Sequence, residues 1–571
     1  MSDAVKAGIA AEKRGSKIAP TPFAYKRAFH RSGPTAVGEA LVSRHNHRML
    51  RLAQRSAVHI ADVMPVLAVV PVLDMCLRMG GAQFQAQTDV SPSTDSQTWS
   101  NHLRACVDEL VQVSRLLLAS QFVGAALVAR TMLERTTANR SVTFGVDRLP
   151  DEDSVSWMSK VWALDEEEVN GAGEIWSGLS EMLHGQGAVV AVAKWESDGL
   201  EVGPPPEAAE LWRLVVAAQA LAFRQLRGMI LTLSRAQGLS VEALLVTWPE
   251  YSPATYVDPI APALWPITYD TFDNPAFVGL EALQLDYWSN LRRGPAVTLP
   301  AQAFVERRGR AITQARHAKK AEEAAVGLMR ENGVFGRLAP VLMAAEVSAL
   351  VARWNNGPTS GPLYMASTAL RSAYFLWLED DSRAMGALRV VLEHTAKART
   401  YRLKPDKASR LQSTPFANST TRWIEACGWR RLGMFTRCLS ELSHLTGKAR
   451  WPEALEGLRL IRGPNIATDG EDKSIFTARS NALDLVSYLL LQEALSQFAV
   501  HSGAIADSLR TEFGVSVFET ELDGLLDQMH AVEFPHAEHR QDLSQAELVG
   551  LLGVELFDEL EALKRQGGAT R

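Results

Sequence analysis

The chain has 571 residues, of which 47% are hydrophobic and 22% charged, a balance typical of folded proteins and not of disordered ones. This length exceeds what one ordinary hydrophobic core accommodates, so we expect two to four domains. The longest apolar stretch, residues 63–75, is interrupted by Pro65, Pro71 and Asp74. The sequence therefore predicts no membrane-spanning helix, and with no secretory signal it predicts a cytoplasmic protein.

The first segment along the chain, residues 1–45, is predicted to be a basic arm. Residues 1–55 contain eleven Lys and Arg side chains against three acidic ones, although the whole chain carries a net charge of −6. A basic segment of this kind engages phosphate groups or acidic partners. The arm is therefore either a solvated leader or a contact surface for RNA or another phosphate-bearing ligand.

Two long segments, residues 46–246 and 304–510, are predicted to be helical-bundle modules. Both are rich in helix-forming residues with apolar positions three or four apart, and β-type alternation is rare, so the predicted fold class is all-α. In each, a helical region with an Arg/Glu element precedes a long amphipathic helix, which indicates two tandem copies of one module. The corresponding regions are 104–140 and 367–402, then 207–236 and 478–505.

The remaining segments are a connector between the two modules and an extension after the second. Residues 247–303 are rich in proline and aromatic side chains, which is typical of an extended connector that packs along a surface. A second basic run, residues 307–320, follows it. Residues 511–571 end in a predicted helix with an apolar stripe, which would dock on the second module or form a homo-oligomer with a second chain.

The most informative pattern is a set of polar residues that occurs once in each module. Arg and Glu are four residues apart, so on a helix they share a face. A Ser-Glu-x-x-His element follows, with 54 residues between Arg and His in the first set and 55 in the second. The spacing predicts that Ser, Glu and His lie on one side of a helix. The first set is Arg130, Glu134, Ser180, Glu181 and His184, and the second is Arg389, Glu393, Ser440, Glu441 and His444.

Three interpretations of these residues are open. In the first, Arg-Glu-His hydrogen bonds join helices of a non-catalytic interaction or scaffold protein. In the second, the histidines act as acid/base groups or phosphate contacts beside the arginines. In the third, the two halves hold a di-iron or di-manganese centre, for which one Glu and one Glu-x-x-His per half are the expected ligand types. Its ligands would be Glu134, Glu181, His184, Glu393, Glu441 and His444.

The second interpretation coincides with a family resemblance. The Arg-x-x-x-Glu element followed by Leu-Ser-x-x-x-His resembles the HEPN-like helical domains of bacterial toxin, abortive-infection and defence proteins. The resemblance covers residues 104–236 and 367–505 and implies that the two modules pair and that their polar residues line a shared cleft. It also implies a protein that binds or cleaves RNA in bacterial defence or stress.

The sequence departs from that family at one point. Its RNA-cleaving motif is Arg followed by His about five residues later, whereas Leu179 and Leu439 stand five residues before the two histidines. One literal match, from Arg389 to His394, occurs in the second module, and Arg135 stands at the corresponding position in the first. The motif alone therefore does not decide between RNA binding and RNA cleavage.

Overall fold

The computed structural model of the chain describes most of the two predicted modules. The described residues are 21–33, parts of 36–44 and of 109–117, 121–149, 152–185, 188–198, 204–236, 338–377, 383–413, 419–429, 432–443 and 475–512. Below, "first half" means described residues 109–236 and "second half" means described residues 338–512. The predicted connector and C-terminal extension, apart from the end of the last helix, lie outside the described residues, as does most of the basic arm.

All regular secondary structure in the described residues is helical, which confirms the all-α prediction. Residues 22–33 are also helical. No helix among the described residues is long and apolar enough to cross a membrane. The helices with defined bounds are α1 Phe122–Phe144, α2 Ser154–Trp162, α3 Glu166–Leu183, α4 Ala188–Ser197, α5 Pro206–Ala236, α6 Leu338–Asn355, α7 Ser360–Trp377, α8 Arg383–Leu403, α9 Pro405–Ser413, α10 Thr420–Ala426, α11 Gly433–Ser443 and α12 Ile475–Glu512.

Helix α8 is the central helix of the second half and contacts α7, α9, α10, α11 and α12. Its residues are mostly strong helix formers, and most of them are buried on every side, as expected for a helix inside a core. It ends where Pro405 begins α9, because proline fits the first turn of a helix but disfavours a helical residue before it.

Helix α1 is the corresponding central helix of the first half and packs on α2, α3, α4 and α5. Its N-terminus is capped from α4, because the Glu196 carboxylate accepts hydrogen bonds from the amides of Phe122 (2.6 Å) and Val123 (3.1 Å). The first amides of a helix have no partner within the helix, and a carboxylate there also interacts favourably with the helix dipole. Glu196 therefore fixes where α1 begins.

The two halves meet where α7 contacts α1 and α4, where α8 contacts α1, and where α6 contacts α4. The approach of α1 to α7 is close at Gly124, where a Cβ atom would lie 2.7 Å from the Cβ of Ser372. Glycine is therefore required at this position for the backbones to approach as they do. This contact brings the predicted Arg/Glu helices, α1 and α8, side by side.

The sequence predicted the later helices of each module well. The amphipathic region 207–236 corresponds to α5, and region 478–505 lies within α12, which has a non-helical residue at Ser502. The division into two tandem copies and the module boundaries stay predictions.

A buried ion pair joins α8 to α12. Arg402 donates two hydrogen bonds of 2.7 Å to the two carboxylate oxygens of Glu493, whose side chain is fully buried. Gln497 donates a further bond of 2.8 Å to the same carboxylate. A buried carboxylate is stable only when it is paired in this way.

We expect Arg402→Leu to lower the free energy of unfolding by about 3 kcal/mol, because it leaves Glu493 buried without its main partner. Chemical denaturation of the purified protein measures this change. The matched control is Arg410→Leu, which removes an exposed arginine from α9 and should change stability by less than about 0.5 kcal/mol. Equal effects of the two substitutions would contradict the assigned role of the pair.

Candidate functional site

A cleft of about 200 Å³ lies between the two halves. Helices α1 and α3 form one wall and α8 forms the other. Several predicted site residues from both halves line it, together with two arginines that the sequence analysis did not select. The lining residues are Leu127, Val128, Arg130, Thr131, Arg135, Ser180, Leu183, His184, Arg383, Gly386, Ala387, Arg389, Val390 and Glu393.

Arg130 on α1 is held in the cleft by three contacts. Its Nη2 forms an ion pair of 3.0 Å with Glu134, one turn further along the helix. Its Nε donates to Ser180 Oγ at 3.1 Å, and its guanidinium lies 4.8 Å from the centre of the Trp176 ring. Ser180 in turn donates to the Trp176 carbonyl oxygen at 2.7 Å. The hydroxyl of Ser180 therefore orients Arg130 and is not placed as a nucleophile.

His184 reaches the cleft from the C-terminal end of α3. The helix begins with a capping box between Asp165 and Glu168 and ends at Leu183, so that His184 is the residue immediately after it. The side chain of His184 is 40% exposed, and its Nδ1 lies 3.3 Å from Oε1 of Glu393 on α8. The predicted histidine of the first module thus pairs with the predicted glutamate of the second.

The turn after His184 requires glycine for two reasons. Gly185 has a φ of +65°, in the left-handed region that ends many helices and that favours glycine. A Cβ atom at this position would also overlap the imidazole of His394, which lies against the turn. The end of α3 therefore fits against α8 without a side chain between them.

Two side chains of α8 bind the carbonyl groups at this end of α3. Lys397 donates a hydrogen bond of 2.9 Å to the carbonyl oxygen of His184, and Nε2 of His394 lies 3.4 Å from the carbonyl oxygen of Leu183. Cationic and donor groups are favourable at a helix C-terminus, where carbonyl groups have no partner in the helix. These contacts fix the backbone position from which His184 extends.

Glu393 is a buried carboxylate that remains ionised. Burial raises its pKa, but the charge of Lys397 at 2.8 Å and the hydrogen bond and charge of His184 lower it more, so that the pKa lies well below its ordinary value. Thr420 on α10 donates a hydrogen bond of 2.6 Å to the second carboxylate oxygen. Because an ionised carboxylate only accepts hydrogen bonds, Nδ1 of His184 carries the hydrogen of this contact.

Arg389 occupies the position on α8 that corresponds to Arg130 on α1. Its Nη2 lies 3.5 Å from the Thr420 hydroxyl. Burial lowers its pKa, Glu393 opposes that change, and the nearby charge of Arg130 lowers the pKa further. The two predicted arginines are thus close enough to repel each other across the cleft.

A second pair of arginines, Arg135 on α1 and Arg383 on α8, shares one buried carboxylate. Each directs an Nη1 at Oε1 of Glu109, at 2.5 Å and 2.9 Å respectively. All three side chains are more than nine-tenths buried. The group carries a net formal charge of +1 and joins the first half to the second.

Positive charge exceeds negative charge around the cleft. We count the described side chains that line the cleft and those that form ion pairs with them. They comprise five cationic groups and three carboxylates, so the formal charge is +2 when His184 is left out of the count. The cations are Arg130, Arg135, Arg383, Arg389 and Lys397, and the carboxylates are Glu109, Glu134 and Glu393. A cleft of this charge favours an anionic ligand.

The predicted site residues do not all lie in the cleft. Arg130, Ser180 and His184 of the first set line the cleft with Arg389 and Glu393 of the second, while Glu134 lies buried behind Arg130. Glu181 differs from the expectation, because it is exposed and outside the cleft lining. Consecutive residues point about 100° apart on a helix, so Glu181 and Ser180 face different directions.

Ser440 donates to the Thr436 carbonyl oxygen within α11 at 2.8 Å. The side chain of Glu441, and His444, lie outside the described residues.

The di-iron or di-manganese hypothesis stays a prediction. The described residues include no group of three or more His, Cys, Asp and Glu side chains placed to hold a metal ion. Of the proposed ligands, Glu134 is paired with Arg130 and Glu393 with Lys397, and these cations would compete with a metal ion.

The literal Arg-x-x-x-x-His match does not present its histidine to the cleft. His394 is buried and is not among the lining residues, whereas Arg389 is. Burial lowers the pKa of His394 to about 3, and the charge of Lys397 contributes to this shift. The histidine is therefore neutral at ordinary pH and serves the contact between α8 and α3.

Five residues of the site were not selected from the sequence: Glu109, Arg135, Arg383, Lys397 and Thr420. Lys397 stands four residues after Glu393, so the i, i+4 spacing could have indicated it. The contacts of Glu109 with Arg135 and Arg383 join residues far apart in the chain and have no local spacing pattern.

Comparisons of the chain with models of protein families, with curated proteins and with solved structures give no match. The resemblance to HEPN-like domains therefore rests on the short motifs quoted above.

We expect His394→Gln to reduce the pH dependence of stability. Between pH 6.5 and about 3 the unfolded chain binds a proton at His394 and the folded chain does not, so the free energy of unfolding falls as the pH falls through this window. The substitution removes a slope of up to about 1.4 kcal/mol per pH unit.

Urea denaturation at several values between about pH 5 and 6.5, above the range where most carboxylates titrate, measures this slope. His30→Gln, which replaces an exposed histidine on the helix of residues 22–33, is the control and should keep the wild-type slope. A wild-type slope in His394→Gln as well would show that His394 is protonated in the folded protein.

Proposed function

We propose that the protein binds RNA in the cleft between its two halves and cleaves it, with His184 as the proton-transfer group. One observation carries this proposal: His184 pairs with Glu393 across the two halves, at 3.3 Å, in a cleft lined by four arginines. Pairing of two such modules around one cleft is also what the resemblance to HEPN-like domains implies.

Arg130 and Arg389 supply the binding of the reacting phosphate. Guanidinium groups donate several hydrogen bonds in a fixed plane and match the oxygens of a phosphodiester. Arg130 and Arg389 come from opposite walls and repel each other, so an anion between them would relieve that repulsion. The same groups would stabilise the additional negative charge that develops on phosphorus during cleavage.

The orientation of His184 suits it to acid/base chemistry. Glu393 holds Nδ1, as the carboxylate of a catalytic triad holds its histidine, so Nε2 is the nitrogen that exchanges a proton with a ligand. In RNA, the 2′-hydroxyl would lose its proton to Nε2 and its oxygen would attack the adjacent phosphorus. The bond to the 5′-oxygen then breaks, which leaves a 2′,3′-cyclic phosphate and, after proton transfer from the imidazolium, a 5′-hydroxyl.

The size of the cleft favours a ligand held by its backbone. Pockets that enclose a whole small molecule usually measure about 300–1,000 Å³, and this cleft is smaller, at about 200 Å³. A phosphodiester with part of its ribose requires less space than a complete nucleotide. We therefore expect bases to remain outside the cleft and cleavage to depend weakly on sequence.

We expect the purified protein to cleave a 5′-labelled single-stranded RNA without added metal ions and to leave 2′,3′-cyclic phosphate ends. His184→Ala should lower the rate by about 10²- to 10⁴-fold, because it removes the proton-transfer group. Denaturing gels with single-turnover kinetics measure the rate, and end-group analysis identifies the product.

Two controls make this test specific. His30→Ala removes an exposed histidine far along the chain from the cleft and should retain the wild-type rate. A DNA strand of the same sequence lacks the 2′-hydroxyl and should remain intact. Equal cleavage by wild type and His184→Ala would reject the assignment of His184.

A second candidate function is that of a non-catalytic helical interaction protein. It is favoured by the contacts of Lys397 and His394 with the end of α3, which join the two halves by side chain to backbone bonds. On this hypothesis the wild type neither binds nor cleaves RNA, and His184→Ala changes only thermal stability. Melting curves of the variants used for the cleavage assay separate the two functions.

A further inference from the structure

The arginines of the cleft form two pairs at different levels. At the first level, Arg130 contacts Ser180, one turn before His184, and Arg389 lies one turn before Glu393, the partner of His184. At the second level, Arg135 and Arg383 meet at Glu109. The order of these residues on α1 is therefore opposite to their order on α8, so the two helices run antiparallel along the cleft. At 1.5 Å per residue, the two levels are about 8 Å apart along α1 and about 9 Å apart along α8.

The pair at Glu109 carries one positive charge more than its carboxylate neutralises. Two buried guanidinium groups beside one carboxylate are unfavourable in a medium of low polarity unless another anion or a hydrogen-bond acceptor completes the group. Within the described part of the chain, the buried Nε of Arg135 has no hydrogen-bond partner. Both arginines also line the cleft.

Only the first level has the acid/base group. His184 pairs with Glu393 on α8, one turn from Arg389, whereas Arg383 lies ten residues before Glu393 on the same helix. The described residues that line the cleft include no other histidine. A phosphate at the second level would therefore be bound without being attacked.

We propose that Arg135 and Arg383 form a second anion subsite, which binds the phosphate next to the one that lies beside His184. This inference rests on the proposed function. It identifies the ligand as an oligonucleotide with at least two consecutive phosphodiesters, and it predicts that a single phosphodiester uses only part of the cleft.

Two short probes test the subsite directly. Both probes are 2′-O-methylated, so neither has the 2′-hydroxyl needed for cleavage. The dinucleotide UpU has one phosphodiester, and the trinucleotide UpUpU has two. We expect the wild type to bind UpUpU about tenfold more tightly than UpU, since a charge-assisted hydrogen bond to a second phosphate is gained. In Arg383→Gln the ratio should fall below about threefold, while the affinity for UpU stays unchanged.

The variants are chosen so that a structural role of Arg383 gives a different result. Arg383→Gln leaves a neutral Arg135–Glu109 pair, so it should fold with a melting temperature at least equal to that of the wild type. Arg383→Lys keeps the charge and should restore most of the wild-type ratio. Arg135→Gln tests the same subsite from α1, and Arg353→Gln removes a partly exposed arginine paired with Asp198 as the matched control.

The outcomes distinguish the subsite from the proposed function. If the wild type binds UpU and UpUpU equally, the second subsite is rejected while RNA binding at the first level stands. If Arg383→Gln weakens both probes to the same degree and melts at a lower temperature, Arg383 is structural and the subsite is again rejected. If the wild type binds neither probe, both the proposed function and the subsite are rejected.

Discussion

The arrangement of the cleft depends on one buried charge, the carboxylate of Glu393. An ionised group inside a core is unfavourable unless polar partners surround it, and here these come from three separate elements. Lys397 is on the same helix, Thr420 is on α10, and His184 follows α3 in the other half. The contacts that pair this carboxylate therefore hold the end of α3 against α8, and they place the imidazole of His184 beside the arginines.

The same residues serve the stability of the contact and the chemistry proposed for it. Lys397 pairs with Glu393 and also binds the carbonyl oxygen of His184, so it lowers the pKa of the carboxylate and fixes the turn that follows α3. Gly185 permits the same turn. A polar network of this kind is rigid when it is complete, because each group limits the movement of its neighbours. Rigidity of this origin is what a proton-transfer group needs to stay in position.

The sequence predicted the fold class and the long helices because helical periodicity is a local signal, as at α5, whose observed bounds differ by one residue from the expected region. It also selected Arg130, His184 and Glu393, because their recurrence at matched spacing does not require knowledge of the tertiary structure. It could not predict that His184 of one half meets Glu393 of the other, 209 residues away. Glu181 was selected because its i, i+3 spacing to His184 was expected to place both on one side of the helix, yet its side chain is exposed and outside the cleft lining.

The two walls of the cleft belong to one polypeptide, and this has a consequence for how the protein behaves on dilution. A cleft between two separate subunits is lost when the subunits dissociate, whereas tethered halves remain at a high effective concentration at any dilution. In a single chain the two walls can also differ in sequence. His394 on α8, for example, stands at the position that corresponds to Arg135 on α1. A symmetric dimer has the same residues on both sides of its interface. In a single chain, by contrast, one wall can hold α3 while the other supplies charge.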